Sequence, residues 1–341
     1  MIHLRIENQM RKISTIILLL FFCGSKAQVA NSIYRQAFNE QLEMLNGINQ
    51  IDFKRAVFIT ENAYHNGELN YESYCNEIAI TGKKLNAFIK QRGLQQYKTA
   101  GNFAVFNYMI DTTTLNDYKP CTYDFDDFMG DKDWTKMFVT KLMKTRSGNC
   151  HSLPYYYKIL SSEIGASAYL ALAPNHCYIK HQDEKGQWTN IELTNGSFPR
   201  DQWIIESMSI SVEAIKNEAY MTPLTDKENI ALCMLDLLQG FRYKYGSDRF
   251  VLEICDTALT YYPKCIPLLM EKANFYKNII ETEMKKTTPN IQLANANIVL
   301  YKQVVNKIDA LGYKDMPAEL YQDWVKSVEA EKSKRGIVST K

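Results

Sequence analysis

The sequence predicts an α+β protein in which helical regions flank a short stretch of β-strands, and three observations lead to this fold class. Apolar residues at helical spacing fill residues 29–115 and the chain beyond residue 223. Between them, residues 134–198 change from one helix to a series of short strands. The length of 341 residues exceeds what one core usually organises, so we expect two or three structural units.

Residues 1–27 are expected to be a signal peptide. The basic pair at 11–12 precedes the apolar run 13–22, and Ser-Lys-Ala at 25–27 offers a small-x-small cleavage pattern. This order is typical of secretory signals, and the run is too short to span a bilayer comfortably. The sequence therefore predicts an exported protein, periplasmic or secreted. The alternative is a lipoprotein anchored at Cys23, which the bulky residue before it disfavours.

The charge balance excludes one class of partner. Cleavage after residue 27 removes four of the 40 basic and one of the 38 acidic residues, which leaves 36 and 37. A near-neutral chain without a clustered basic surface argues against nucleic acid binding. No later run is apolar enough for a membrane helix, so we expect no integral membrane segment after cleavage.

Seven of the eight cysteines follow the signal, and an odd number in an exported protein leaves at least one thiol unpaired. In a chain of this size most of them are expected to be buried apolar residues. A disulfide between Cys75 and Cys121 stays open as an alternative. The chain has no CxxC or HExxH spacing, so neither a metal nor a cofactor is predicted.

The first two units after the signal differ in their patterns. Residues 28–115 form an N-terminal helical region, interrupted by an Asn-Gly turn at 66–67. Residues 116–222 form a core unit that a turn-rich, acidic loop precedes. Within the core a helix is predicted over 153–164, ending at a glycine, and strands over 168–173, 176–181 and 187–193.

Residues 223–335 form a C-terminal helical unit. Helices are predicted over 227–242, 248–262, 265–282, 291–310 and 317–333. Small residues at Ala258 and Ala273, where paired helices approach closely, and Pro263 where one pair ends resemble a tetratricopeptide repeat. A plain helical bundle is the alternative. Either arrangement offers a surface for a protein partner.

Cys150 is the candidate nucleophile, because it lies where a glycine turn enters the core helix. Unpaired N–H groups and the positive end of the helix dipole favour thiolate over thiol there, and thiolate is the nucleophile. Those N–H groups can also hold an oxyanion. Gly148 is expected to relax the turn and Asn149 to cap the helix, while Pro154 delays the regular helix by a residue or two.

Three histidines compete for the role of base. His151 adjoins Cys150, but neighbouring helical residues point about 100° apart, so it is poorly placed. His176 lies in a strand that returns beside the helix start, and it is the predicted base. His181, at the far end of that strand on the opposite face, is expected to be exposed.

Glu192 is the candidate acid that orients the imidazole. If the loop between the two strands has an odd number of residues, Glu192 shares the face of His176, whereas an even loop separates them. A glycine at 186 suits an odd loop. In that register Tyr178 also lies on the site face, opposite an apolar core face. Asn190 is the alternative in this role.

Taken together, these motifs resemble the transglutaminase-like core domain. The resemblance consists of Arg146-x-Gly148-x-Cys150, Glu163-Ile-Gly165-Ala166, His176 and Trp188-x-x-x-Glu192-x-Thr194. It covers roughly residues 134–198, under a quarter of the chain. Glu192 departs from the family's aspartate. Combined with a signal and a repeat-like tail, the chain is similar to exported proteins of Bacteroidetes-type bacteria.

The resemblance implies a transglutaminase-like, papain-like core with Cys150, His176 and Glu192 as its catalytic residues. It implies acyl transfer, or amide and peptide hydrolysis, on a peptide or protein substrate through a cysteine thioester. Trp134 and Asn149 are the candidates for a second oxyanion donor. The alternative function is a non-catalytic scaffold that binds a protein through the C-terminal helices.

Overall fold

The computed structural model describes residues 32–315, together with residues 317, 319, 322, 326, 330, 332 and 333. The predicted signal peptide over 1–27, including Cys23, lies outside these residues, as does most of the helix predicted over 317–333. The described part of the chain combines many helices with small sheets, so the α+β prediction is confirmed at the level of fold class.

The helices are α1 (residues 32–45), α2 (Phe53–Tyr64), α3 (Tyr71–Gln91), α4 (Ala100–Ile110), α5 (Val139–Thr145), α6 (Ser152–Glu163), α7 (Asp201–Ser207), α8 (Val212–Lys216), α9 (Asp226–Tyr245), α10 (Arg249–Tyr261), α11 (Ile266–Met284) and α12 (Ile291–Ala310). Side-chain caps define several starts: Asp52 accepts a hydrogen bond from the N–H of Arg55, and Thr225 and Glu228 form a capping box. The predicted turn at 66–67 is confirmed, since both residues have positive φ.

The strands are β1 (Thr122–Tyr123), β2 (Ser147–Gly148), β3 (Tyr169–Ala173), β4 (His176–Gln182) and β5 (Trp188–Ile191). The short strands β1 and β2 pair in parallel, and Tyr123 lies opposite Gly148. The other three form an antiparallel sheet in the order β3-β4-β5. The sequence carries no separate signal for β1, which lies in the middle of residues 111–132, a turn-rich segment predicted to be an irregular loop.

The loop between β4 and β5 decides which side chains share a face. It comprises residues 183–187, an odd number, and Gln182 pairs with Trp188. Even-numbered residues of both strands therefore point the same way, so the predicted register is confirmed. The even-numbered face is not open, however, because Tyr178 and Asn190 are buried and the segment around Pro199 covers it.

The C-terminal helices follow one another as packed neighbours, with α9 on α10, α10 on α11 and α11 on α12. Their bounds match four of the five predicted helices closely. Helix α9 also packs on α2 of the N-terminal region, where the hydroxyl of Thr60 donates to the carbonyl of Cys233 at 3.3 Å. One continuous hydrophobic core extends from Tyr34 to Ile308 and includes residues of all three predicted units.

Two further expectations concern the chain as a whole. All seven cysteines from Cys75 to Cys265 are free thiols, so the alternative disulfide between Cys75 and Cys121 is not formed. Most of them are buried, as expected. In the part of the chain that the structure describes, no helix has the length and apolar character needed to cross a membrane.

Candidate active site

The turn before Cys150 is shaped by Arg146 and Gly148. Arg146 adopts the left-handed conformation with φ of +58°, and its guanidinium donates to the Tyr108 hydroxyl at 2.8 Å and to the Lys119 carbonyl. Gly148 has a different task from the predicted one. A Cβ on Gly148 would lie 2.6 Å from Ser152 Oγ, so glycine is needed for close approach rather than for its dihedral angles.

Asn149 caps the helix that follows, as predicted. Its Oδ1 accepts from the N–H groups of His151 and Ser152, each at 3.0 Å, while regular helix begins at Ser152. Its Nδ2 donates to the carbonyl of Phe128 at 2.9 Å. Because the amide is fully buried and engaged, Asn149 is not available as an oxyanion donor.

Trp134, the other predicted oxyanion donor, also lies elsewhere. Its ring stacks on Tyr243 of α9 with centroids 5.9 Å apart, and its indole Nε1 lies against Gly240 of the same helix. Asn149 is therefore wrong as the second oxyanion donor, because its amide already binds Phe128 and the start of the helix. Trp134 packs against α9, and its role as a donor stays a prediction.

Cys150 is partly buried and so remains reachable from solvent. Its Sγ lies 4.0 Å from the carbonyl oxygen of Asn175, in the turn between β3 and β4. Among the described residues, the backbone N–H of Cys150 has no acceptor, although the N–H groups on both sides of it are bonded. This N–H is therefore free to bind an oxyanion.

His176 and Glu192 are hydrogen-bonded to each other, as the odd loop predicts. Glu192 Oε2 lies 2.5 Å from His176 Nε2, and its other oxygen accepts from the N–H and hydroxyl of Thr194 at 2.9 and 2.7 Å. A β-bridge to Ser197 anchors the backbone of Glu192. Asn190, the alternative to Glu192 for orienting the imidazole, donates instead to the carbonyl of Pro199.

The charges of the site support one another. Burial alone lowers the pKa of His176, but the Glu192 carboxylate and a side-chain hydrogen bond with Cys150 outweigh it, so that pKa lies well above its usual value. Burial raises the pKa of Glu192, yet the charge of His176 and the hydrogen bonds from Thr194 bring it below the usual value. The protonated ring of His176 is thus bonded to the Glu192 carboxylate, with Cys150 nearby.

The other two histidines are not part of this group. His181 is buried, with 7% of its surface exposed, so its predicted exposure is wrong. The β3-β4-β5 sheet has cover on both faces, which explains the difference. His151 points away from His176, because its ring nitrogens contact the carbonyl of Met137 and the carboxylate of Asp236.

Tyr123 is a neighbour of the site that the motifs do not include. The parallel pairing with Gly148 brings it beside the Cys150 turn, and its ring packs on Phe125 with centroids 5.0 Å apart. Burial and the nearby groups of Cys150 and Glu192 raise the pKa of its hydroxyl. The hydroxyl therefore stays protonated and can donate. The only sequence signal is an aromatic-rich stretch, since the pairing of 123 with 148 is not local.

Comparisons with known proteins add no relative: no protein-family model matches the chain, and no curated protein or solved structure is significantly similar to it.

Proposed function

We propose that this chain is an exported, transglutaminase-like cysteine enzyme that transfers or hydrolyses acyl groups of peptide or glutamine-like amides. The His176–Glu192 hydrogen bond, with Cys150 near enough to raise the pKa of His176, supports this most strongly, because nucleophile, base and orienting acid then lie together at the start of a helix. The order of these residues along the chain and the motifs around them agree with a transglutaminase-like core.

The proposed reaction begins with attack of the Cys150 thiolate on an amide carbon. A C–S bond forms, and the carbonyl π electrons move to oxygen, where the free N–H of Cys150 stabilises the oxyanion. When the carbonyl reforms, the C–N bond breaks and His176 gives its proton to the leaving nitrogen. Ammonia or an amine departs, and the acyl group remains on sulfur as a thioester.

The thioester is then resolved by a second nucleophile. Water attacks while His176 takes a proton from it, and C–S cleavage yields a carboxylic acid and restores Cys150. An amine in the place of water yields a new amide, which is crosslinking. Glu192 keeps the imidazole oriented in both halves, because its second oxygen is held by Thr194.

Tyr123 supplies the second oxyanion donor in this proposal. It is preferred to Asn149, whose amide is used elsewhere, and to Trp134, whose ring packs against α9. Three features support the assignment: its place opposite Gly148, the raised pKa that keeps its hydroxyl protonated, and the electrostatic effect that Cys150 exerts on that hydroxyl.

Alkylation kinetics with iodoacetamide test the nucleophile. We expect Cys150 to react faster at neutral pH than the partly buried Cys75, because the imidazolium of His176 lies close to its sulfur. Replacing His176 by Ala should lower the rate at which Cys150 is alkylated by at least about tenfold, since the positive charge beside the sulfur is lost. Mass spectrometry of labelled peptides gives the rate for each thiol.

His181→Ala is the matched control for that experiment, because it removes another buried histidine from the same strand without touching Cys150. In this variant the rate of Cys150 labelling should stay within about twofold of the wild type, as for a substitution remote from the reacting group. Slow labelling of Cys150, at a rate that does not change when His176 is replaced, would argue against an enzyme.

The second candidate is a scaffold that binds a protein through the C-terminal helices. One observation favours it: an open groove of about 300 Å³ lies between α10, α11 and α12, lined in part by Leu259, Lys272 and Val304. In this case Cys150→Ala would leave partner binding and the protein's role unchanged, whereas the enzyme proposal requires the role to be lost.

A further inference from the structure

His151 occupies the position directly after Cys150, and both of its ring nitrogens are engaged. Nδ1 lies 2.9 Å from the Met137 carbonyl oxygen, and because a carbonyl only accepts, Nδ1 must donate. Nε2 lies 2.9 Å from Oδ1 of Asp236 in α9. The ring also packs on Tyr155 with centroids 4.0 Å apart.

Both carboxylate oxygens of Asp236 bind side chains at the beginning of the cysteine helix. Its Oδ1 faces His151, and its Oδ2 accepts from the Tyr155 hydroxyl at 2.8 Å. Only 14% of its side chain is exposed. One carboxylate of the C-terminal helical unit thus bonds two side chains at the beginning of the cysteine helix.

The titratable groups around the ring are Glu61 of α2, Asp236, Tyr155 and the preceding Cys150. Burial lowers the pKa of His151, but Asp236 and the Met137 carbonyl more than offset this and raise it to about 9. At neutral pH His151 is therefore a cation that donates from both nitrogens. Its pairing with Asp236 is a buried ion pair.

This region is too small to be a ligand site. The cavity beside the pair measures about 20 Å³ and is lined by residues that include Glu61, Trp134 and Gln239. That volume has room for about one water molecule. The pair therefore affects the site by holding the chain rather than by binding a substrate.

We propose that His151 and Asp236 form a positioning pair that holds the Cys150 turn in its reactive geometry, so that helix α9 is an integral part of the catalytic unit. This inference rests on the proposed function. His151 is not a base for Cys150. It acts through the backbone, because the residue it belongs to follows the nucleophile and shares the cap of Asn149.

The consequence for the chemistry is specific. The N–H groups of His151 and Ser152 are bonded to Asn149, and that of Cys150 is free for an oxyanion. If the ring of His151 lost its anchor, only the Asn149 cap would hold the backbone on the C-terminal side of Cys150. The sulfur and the free N–H would then lose their fixed relation to His176 and to the substrate carbonyl.

The test uses the full chain and iodoacetamide as the probe. Asp236→Asn keeps the shape but removes the charge, and we expect Cys150 labelling to slow by at least roughly tenfold, as small misplacements of reacting groups do. His151→Gln, which donates to only one of the two acceptors, should give the same result and serves if Asp236→Asn does not fold. Asp236→Glu should restore part of the rate.

Glu271→Gln is the matched control. Glu271 is a buried carboxylate of α11 that pairs with Arg242 and accepts from Gln239, so its loss removes a comparable interaction at the edge of the same cavity while both bonds of the His151 ring stay in place. We expect the labelling rate to change by less than about twofold. Thermal unfolding of every variant shows that the rates are measured on folded protein.

The outcomes are distinguishable. A fast, His176-dependent Cys150 that is slowed by Asp236→Asn or His151→Gln, and not by Glu271→Gln, supports the positioning pair. Fast labelling unaffected by both substitutions overturns this inference alone and leaves the proposed function intact. Slow labelling in the wild type overturns both.

Discussion

At the scale of single residues, the turn before Cys150 depends on the backbone conformation of Arg146 and on the lack of a side chain at Gly148. A sequence motif gives the identity of these residues but not these roles. The left-handed conformation falls on Arg146, whose guanidinium is tied to Tyr108 and Lys119. Gly148 provides space for Ser152. A left-handed non-glycine residue costs roughly 1–2 kcal/mol, which the bidentate contact of Arg146 offsets.

Tyr123→Phe should affect acylation of Cys150 but not its alkylation. Iodoacetamide alkylation forms no oxyanion, so its rate should stay within about twofold of the wild type. Acylation of Cys150 by p-nitrophenyl acetate passes through an oxyanion, and the loss of one donor should slow it by about a hundredfold. Release of p-nitrophenol in a single turnover measures the acylation rate.

Tyr178→Phe is the control for this pair of reactions. Its hydroxyl is buried and has no hydrogen-bond partner in the part of the chain that the structure describes, and its ring lies 6.3 Å from that of His176. It is therefore a second buried tyrosine close to the site. Both rates should be close to wild type. Equal slowing of both reactions by Tyr123→Phe would mean that the hydroxyl supports the fold and not the oxyanion.

At the scale of elements, close helix contacts position the cysteine helix. Gly101 of α4 lies against the segment that follows α6, where a Cβ would lie 2.5 Å from the Cβ of Ala166. Helix α3 also approaches α6, at Gly82, but there the nearest group is the flexible Glu163 side chain at 2.9 Å. The two glycines therefore differ in what an added methyl group would displace.

Gly101→Ala is expected to destabilise the protein by about 1–2 kcal/mol. Gly101 is the second residue of α4, so alanine gains less there than the roughly 1 kcal/mol of a helix interior, while overpacking against a small residue costs about 1–3 kcal/mol. Urea denaturation measures the change in the free energy of unfolding. Gly82→Ala should be neutral or stabilising by up to about 1 kcal/mol, because Glu163 can move. A stabilised Gly101→Ala variant would contradict the tight contact.

At the scale of the whole molecule, one hydrophobic core joins the three sequence units, and two carboxylates bind groups of the core unit where the units meet. Glu61 of α2 accepts from the N–H groups of Val139 and Thr140 at 2.7 and 2.9 Å, which caps α5. Asp236 of α9 holds His151. The N-terminal and C-terminal helices thus both reach the base of the cysteine turn.

The His151–Asp236 pair should make stability depend on alkaline pH. The pKa of His151 rises from 6.5 unfolded to about 9 folded, so its contribution is complete below about pH 6.5 and is lost as the pH rises through about 9. That contribution is at most about 3 kcal/mol. The difference in unfolding free energy between wild type and Asp236→Asn should therefore shrink from pH 7 to pH 10.

Urea denaturation at both pH values measures this difference, and Glu271→Gln is again the control. An arginine–carboxylate pair holds no group that ordinarily titrates between pH 7 and pH 10, so the effect of Glu271→Gln should not change with pH. A pH-independent effect of Asp236→Asn would show that His151 is not charged in the folded protein.

The sequence by itself determined the features that depend on nearby residues. Apolar periodicity placed α6 and α9 to α12 within a few residues of their ends. His176 and Glu192 are only 16 residues apart, on adjacent strands, so the parity of one loop decided whether they share a face. Residues close in sequence on neighbouring strands have few possible arrangements, because the length of the connecting loop and the two-residue alternation of side chains fix which of them share a face.

Only the tertiary structure decided the contacts that join distant segments. His151 meets Asp236 across 85 residues, and Tyr123 meets Gly148 through strands of two residues each. Local patterns do not specify such pairs, since many surfaces of similar apolar character could pack together. Which of them do depends on the total fit of the core and on closing long loops, and neither is encoded in a short stretch of chain.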